Sequence, residues 1–144
     1  YGFELKNLTG LNSKSGVKLP SFLTDDELKR FLKSIDETSF KDYARAKNRL
    51  LIKIILYTGM RVSEAINIKY KDIILEDGLY IIKITGKGNK QRIAMVKQKY
   101  TQKDLQEYKE YRDNSTALLF SSRTGKKLTQ PYVSYIMDKI LTNA

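Results

Sequence analysis

The chain has 144 residues, of which 41% are hydrophobic, which is enough for one compact domain with a buried core. Lys and Arg total 27 against 16 Asp and Glu, and the formal net charge of +11 indicates a polyanionic partner, with nucleic acid first and an anionic membrane surface second. There is no Cys and no His, which excludes disulfide scaffolds, metal sites built on Cys or His, and catalysis by a thiol or an imidazole within these residues.

The N-terminal segment, residues 1–19, is predicted to be a linker, because it holds Gly10, Gly16 and several Ser and Asn without a sustained hydrophobic period. A domain is predicted to begin at residue 20. Thr24-Asp25-Asp26-Glu27 is a capping box, in which the Thr hydroxyl and the Glu carboxylate satisfy reciprocal backbone N–H groups. Apolar residues at helical spacing follow it and predict a short amphipathic helix: Leu28, Phe31, Leu32 and Ile35.

A second helix is predicted over residues 42–57. From residue 50 onward it is apolar except for Lys53, and a helix that is apolar nearly all round belongs in a core. Gly59 is the natural left-handed stop, and a third helix is predicted over residues 61–67. Arg61, at its mouth, therefore stands on a buried, rigid platform, which favours a functional role.

Arg61 is at an unusual place for a cation. The first turn of a helix presents free N–H groups and a positive dipole end, which disfavours Arg there by a few tenths to roughly 1 kcal/mol. The placement is explained if the guanidinium and the helix N-terminus face the same anion, such as a phosphate. The alternative is an ordinary surface pair with Glu64, three residues along the helix.

The middle of the chain predicts a three-stranded antiparallel sheet with strands at 73–75, 79–85 and 92–96. A Glu-Asp-Gly turn at 76–78 joins the first two strands. The second connection places Lys87 between Gly86 and Gly88, and glycines allow a backbone to approach a ligand closely. Because Lys can release its proton, Lys87 is a candidate general acid, the alternative being an exposed turn with solvated lysines.

The C-terminal part predicts two more helices. One covers residues 102–112, and a short buried segment at 117–120 and a polar turn at 121–127 follow it. Thr129 caps the last helix, which tolerates Pro131 in its first turn. Its apolar face is formed by Val133, Ile136, Met137 and Ile140. The expected fold is therefore α+β, mainly helical with a small three-stranded antiparallel sheet.

Four segments in this order resemble the tyrosine recombinase (phage integrase) family, and the Xer-type bacterial recombinases most of all. They are residues 18–28 (KLPSFLTDDEL), 58–65 (TGMRVSEA), Asp72-Ile73 and 86–92 (GKGNKQR). The resemblance runs from about residue 18 to 141. It implies an interdomain linker at 1–19 and the N-terminal part of a catalytic domain at 20–144.

The resemblance also implies site residues. Arg61 matches the first catalytic arginine, which holds the scissile phosphate and stabilises its developing charge. Glu64 matches an acidic position that braces the site, and Lys87 matches the hairpin lysine that serves as general acid for the departing 5′ hydroxyl. In this family a tyrosine attacks to give a 3′-phosphotyrosyl link, so no metal, ATP or other cofactor is expected.

Two departures from the family pattern limit the activity we expect. The second motif, His-x-x-Arg, is missing, and no His exists elsewhere in the chain. The ten tyrosines all precede the place where that motif would stand, so none is assigned as nucleophile. We therefore expect these residues alone to bind DNA without cleaving it. The alternatives are a non-catalytic DNA-binding module or degenerate recombinase remnant, and a basic RNA-associated domain, which is disfavoured because no aromatic stacking platform is evident.

Double-stranded DNA is the expected partner, with a tetramer expected for the full-length protein on DNA and a monomer for this chain. Membrane binding is disfavoured because no apolar run reaches transmembrane length, and an inert basic surface is the plain alternative. No signal peptide is visible and the chain begins at Tyr1, so we expect a piece of a longer cytoplasmic protein. The candidate phosphate contacts are Arg45, Lys47, Arg49, Lys90, Arg92, Arg123, Lys126 and Lys127.

Overall fold

The computed structural model describes residues 24–38, 40–112 and 114–143, so the linker predicted at 1–19 lies outside the described residues. The elements in chain order are α1 (Asp25–Glu37), α2 (Asp42–Thr58), α3 (Val62–Ala65), β1 (Ile73–Glu76), β2 (Leu79–Thr85), β3 (Gln91–Lys97), α4 (Gln98–Tyr111) and α5 (Gln130–Asn143). The predicted fold class is confirmed: helices dominate, and the three strands form one antiparallel sheet in the order β1-β2-β3.

The capping box predicted at the start of α1 is present. The Thr24 backbone N–H donates to Glu27 Oε1 at 3.2 Å, and the Glu27 N–H donates to Thr24 Oγ1 at 3.1 Å. Near the other end of α1, the buried Ser34 hydroxyl donates to the Ile140 carbonyl at 2.8 Å. This bond holds α1 against α5, the helix that closes the far side of the core.

The core is centred on α2, whose second half is buried as the sequence predicts. Leu51, Ile52 and Ile55 have no exposed surface. Gly59 ends the helix in the left-handed conformation, with φ 70° and ψ 14°, and its N–H donates to the Ile55 carbonyl at 3.0 Å. Met60 is then fully buried, so the chain reaches Arg61 from a fixed position.

The third helix is shorter than predicted. It covers only Val62–Ala65, with Arg61 as the residue before it, whereas the sequence predicts 61–67. The chain leaves the helix because Ile68 is buried and its carbonyl accepts a hydrogen bond from the Leu119 N–H at 2.8 Å. A helix of four residues has only a small dipole, so its N-terminus adds little to the attraction of an anion at Arg61.

The sheet has one face in the core and one in solvent. Ile82 pairs with Ile73 on one side and Ala94 on the other, and the buried residues of β2 and β3 share this inner face. The turn from β1 to β2 has positive φ at Asp77 and Gly78, 50° and 76°, as a two-residue hairpin requires. On the outer face, Ile93 remains 62% exposed.

The fourth helix begins four residues earlier than predicted, at Gln98 instead of residue 102. No side chain caps its start, because β3 passes directly into it at Lys97. The Gln98 N–H is satisfied instead by the Gly78 carbonyl at 2.9 Å, on the neighbouring hairpin. A helix start fixed by a tertiary backbone contact leaves no capping signal in the sequence.

The turn after α4 and the last helix agree with prediction. Ser121 and Lys127 form an isolated antiparallel bridge, and Gly125 has φ 85° between them. The Tyr132 N–H donates to Thr129 Oγ1 at 3.2 Å, which confirms the cap of α5. The predicted apolar face is fully buried: Val133, Ile136, Met137 and Ile140. None of the described helices is both long and apolar enough to cross a membrane.

Candidate functional site

Arg61 presents its side chain to solvent at the start of α3. Its position is fixed by the left-handed Gly59 and by Met60 in the core. Among the residues that the structure describes, the Arg61 guanidinium has no hydrogen-bond or ion-pair partner. A guanidinium held on a rigid backbone with its donors unused is available to an anion from outside.

Glu64 does not pair with the Arg61 side chain as the alternative prediction proposed. Its Oε1 accepts a hydrogen bond from the Arg61 backbone N–H at 2.9 Å. The same oxygen pairs with Arg92 Nη2 at 2.7 Å, and Oε2 lies 3.4 Å from Arg92 Nε. Glu64 thus holds the backbone of Arg61 on one side and a side chain of β3 on the other.

Glu64 is an anion in this arrangement. Burial alone would raise the pKa of its carboxyl, but the hydrogen bonds from Arg92 and the Arg61 backbone, together with the charges of both arginines, hold that pKa below its ordinary value. The side chain is 12% exposed. A carboxylate that stays ionised this far from solvent can fix the position of both groups that it contacts.

The connection from β2 to β3 carries Lys87 next to this cluster. A Cβ placed on Gly86 would lie 3.6 Å from Glu64 Oε2, so the hairpin passes directly over the carboxylate. Gly86 donates its N–H to the Lys90 carbonyl at 2.7 Å, which closes the loop. Lys87 itself is exposed and has no partner within the part of the chain that the structure describes. The structure therefore groups Arg61, Glu64 and the Lys87 hairpin.

Four of the predicted phosphate contacts lie at a second location, a groove of about 520 Å³ between the start of α2, the turn before α5 and the start of α5. They are Lys47, Arg123, Lys126 and Lys127. Sequence reasoning missed Lys41, which lines the same groove. Arg123, Lys126 and Lys127 are exposed on the turn, so the groove has a strongly cationic rim.

Lys47 differs from the other cations of the groove because it is buried, with 3% of its surface exposed. Its Nζ donates to Tyr132 Oη at 3.2 Å and lies 4.8 Å from the centroid of that ring and 5.4 Å from that of Tyr43. Burial lowers the pKa of Lys47 to about 8. Lys47 is thus a buried residue of the groove lining, and its helical spacing from Tyr43 and Leu51 was the available signal of that burial. Its role as a phosphate contact stays a prediction.

Two other predicted contacts are occupied by intramolecular partners. Arg49 Nε donates to Asp104 Oδ1 at 2.9 Å and its Nη1 donates to Asp36 Oδ2 at 2.8 Å. Arg45 donates to the Asp42 carboxylate at 3.2 Å and to a backbone carbonyl. Arg49 thus links α2 to α1 and α4, whereas both partners of Arg45 lie within five residues of it along the chain. Their roles as phosphate contacts stay predictions. Lys90 is exposed at the base of the hairpin.

The described residues contain no cluster of three or more Asp or Glu that could hold a metal ion. The cluster of Arg61, Glu64 and the Lys87 hairpin can act through its charges. The Arg61 guanidinium and the Lys87 ammonium extend from backbone segments that both meet the Glu64 carboxylate, and two such cations can bind a phosphodiester and stabilise negative charge that develops on it. The cationic groove can contact further phosphates.

Comparison with known proteins agrees with this chemistry. Residues 21–144 match the model of the phage integrase family. The chain is 45% identical over 144 residues to the tyrosine recombinase XerH of Campylobacter jejuni, a match that covers all of this chain and 40% of that protein. It is 43% identical over 147 residues to the tyrosine recombinase XerH of Helicobacter pylori, covering all of this chain and 41% of that protein. The chain thus spans about two fifths of the length of these curated relatives.

The chain is also similar to a solved structure, the XerH site-specific recombinase bound to difH substrate in a pre-cleavage complex. The TM-score is 0.68 and the identity 46%, and the match covers 80% of this chain and 34% of that one. The shared fold is the mainly helical one with a three-stranded antiparallel sheet. Since the family model matches far more than half of the residues, the chain belongs to the phage integrase family, the tyrosine recombinases.

Proposed function

We propose that this chain is the N-terminal part of the catalytic domain of a site-specific DNA recombinase, beginning near residue 20. The full-length protein would cut and rejoin DNA through a 3′-phosphotyrosyl intermediate. The observation that carries the proposal is the contact of Glu64 with the Arg61 backbone and the Lys87 hairpin, because it brings together the segments that bear two cations without a partner among the described residues. The family membership and the DNA-bound XerH complex support the same function.

In this proposal Arg61 binds the scissile phosphate and offsets the negative charge that grows on its oxygens. Lys87 gives its proton to the departing 5′ oxygen, which then leaves as a hydroxyl and not as an unstable alkoxide. Glu64 keeps the Arg61 backbone in place. Removing one such charge-stabilising donor typically lowers a rate about 100- to 1000-fold.

The remaining parts of the active site lie outside these residues in this proposal. The chain has no His, so a His-x-x-Arg motif has to come from elsewhere in the full-length protein, and we place the nucleophilic tyrosine there as well. We expect this chain alone to be a monomer that binds double-stranded DNA without cleaving it. The full-length protein would act as a tetramer on DNA in the cytoplasm, without a metal or another cofactor.

The test is strand cleavage by a full-length protein that carries this chain, with the Arg61→Ala and Lys87→Ala variants beside it. Covalent protein–DNA adducts are counted on denaturing gels, with genomic DNA fragments that the unsubstituted protein cleaves. Both variants should lose at least about 100-fold in adduct formation while DNA binding weakens far less. The control is Lys29→Ala, an exposed residue on α1, which should cleave normally.

Two outcomes would overturn the proposal. Cleavage that survives Arg61→Ala would refute the assignment of the site. A full-length protein that binds duplex DNA but forms no adduct with any genomic fragment would instead support a non-catalytic DNA-binding module, which the cationic groove alone is able to serve.

A further inference from the structure

Arg92 differs from the other cations near the hairpin in the direction of its side chain. It is the second residue of β3 and pairs with Ile84 of β2, so the two side chains share the inner face of the sheet. Ile84 is buried, with 2% of its surface exposed. An arginine on the core side of a sheet is partly removed from water, which favours a carboxylate partner.

The partner of Arg92 is Glu64, and the contact has the form of a fork. Nη2 lies 2.7 Å from Oε1 and Nε lies 3.4 Å from Oε2, so both carboxylate oxygens are engaged. A planar guanidinium makes this two-point contact, which fixes orientation as well as distance, and a lysine ammonium cannot reproduce it. Exposed fractions of 49% for Arg92 and 12% for Glu64 place the pair at the edge of the core.

The Arg92–Glu64 contact connects the two parts of the proposed site, the Arg61 backbone and the Lys87 hairpin. Glu64 Oε1 accepts from the Arg61 backbone and from Arg92 at the same time. Arg92 follows directly after the Thr85–Gln91 pair that ends the ladder, where the loop bearing Lys87 begins. A displacement of Arg92 from Glu64 therefore frees the base of the Lys87 loop from the backbone of Arg61.

We infer that Arg92 is a positioning residue, which holds the Lys87 hairpin against Arg61 through Glu64, and that it is not one of the phosphate contacts. The inference rests on the proposed function for its effect on catalysis. Its structural part concerns only how the hairpin is held, and that part is measurable without cleavage.

Cleavage at saturating DNA separates the two roles. Replacing a positioning residue changes the rate of adduct formation, whereas replacing a phosphate contact weakens the affinity and lowers the salt slope of binding by about 1.

In the full-length protein, Arg92→Gln should lower the rate about 10- to 100-fold, as small misplacements of a catalytic group do, and leave the salt slope unchanged. Arg92→Lys keeps the charge but loses the fork, so it should recover only part of the rate. The control Lys83→Gln changes a lysine on the outer face of the same sheet and should have no effect.

Hydrogen exchange provides the readout that does not depend on activity. The Gly86 amide donates to the Lys90 carbonyl, and its exchange rate should be higher in Arg92→Gln than in the unsubstituted protein. In Lys83→Gln its exchange rate should be unchanged. In a Glu64→Gln background, Arg92→Gln should add little, because the contact is already lost. Unchanged exchange at Gly86, or a normal rate with a reduced salt slope, would overturn the inference. Faster exchange in a protein that never cleaves would keep it and refute only the proposed function.

Discussion

Lys53 Nζ lies 2.5 Å from Asp104 Oδ2, and this nearly buried ion pair links α2 to α4. The two side chains are 12% and 7% exposed. The second oxygen of Asp104 accepts from Arg49 Nε at 2.9 Å, and Lys53 also donates to the Tyr100 carbonyl at 3.1 Å. One carboxylate therefore pairs with two cations that would otherwise repel each other.

Removing that carboxylate should be costly. Asp104→Ala leaves Lys53 without its carboxylate partner and Arg49 with Asp36 alone, and breaking a buried pair from one side destabilises by about 3–5 kcal/mol. Urea unfolding followed by circular dichroism measures the change in the free energy of unfolding. The matched control is Asp36→Ala, which removes the other carboxylate partner of Arg49 but a side chain that is 50% exposed, so its cost should stay below about 1 kcal/mol. Equal losses in both variants would contradict this interpretation.

The two glycines that flank Lys87 have different roles. Gly88 has φ 72°, in the left-handed region, whereas Gly86 has φ −98°, which any residue adopts. Gly88→Ala should therefore lower the free energy of unfolding by about 1 kcal/mol through backbone strain, although no atom lies within 4 Å of the added Cβ. Gly86→Ala should change it by less than about 0.5 kcal/mol, because its Cβ meets its nearest neighbours at 3.6 Å, an ordinary contact. A larger loss for Gly86→Ala would show that the hairpin approaches Glu64 more tightly than the structure has it.

Signals carried by neighbouring residues predicted most of the fold. The capping box at Thr24, the left-handed stop at Gly59, the Asp-Gly turn and the cap at Thr129 are all formed within four residues. Each follows from local backbone chemistry, so the sequence alone sufficed. The start of α4 escaped prediction because a backbone contact with a distant hairpin sets it.

The candidate site was less predictable for the same physical reason. The sequence identified which residues carry charge, but the partner of a charge depends on tertiary packing. Arg49 meets Asp104 across 55 positions, and Arg92 meets Glu64 across 28. Such pairs leave no periodic pattern in the sequence, so the sequence does not distinguish Arg49 and Arg92 from the exposed cations on the turn before α5.

The buried Lys47 should make stability depend on pH. Its pKa falls from 10.5 to about 8 in the folded protein, because burial disfavours the charged form. Below about pH 8 Lys47 is protonated in both the folded and the unfolded protein, so the folded state bears the full cost of burying the charge. Between pH 8 and 10.5 the unfolded chain binds more protons than the folded one, so this group contributes stability that rises with pH and levels off above 10.5.

The measurement compares the unsubstituted chain with Lys47→Met, which keeps an unbranched side chain and removes the terminal ammonium with its charge. The free energy of unfolding of the unsubstituted chain should rise relative to that of the variant by about 3 kcal/mol between pH 7 and 10.5. Tyrosines that do not contact Lys47 cancel in the difference, whereas Tyr132, whose hydroxyl accepts from Lys47, does not. A difference that stays flat across this range would show that Lys47 keeps an ordinary pKa and reaches solvent.

The turn before α5 should account for much of the salt dependence of DNA binding. If Arg123, Lys126 and Lys127 each neutralise a phosphate, replacing all three with Ala should reduce the slope of log affinity against log salt by about 2–3. Fluorescence anisotropy with a short duplex between about 50 and 200 mM salt measures this slope. The matched control removes the same net charge from α1, at Lys29, Arg30 and Lys33, all of which are exposed. Because that change alters only the overall electrostatic field, the salt slope of this control should stay near that of the unsubstituted protein. Equal reductions of the slope in both triple variants would show that net charge, not the groove, holds the DNA.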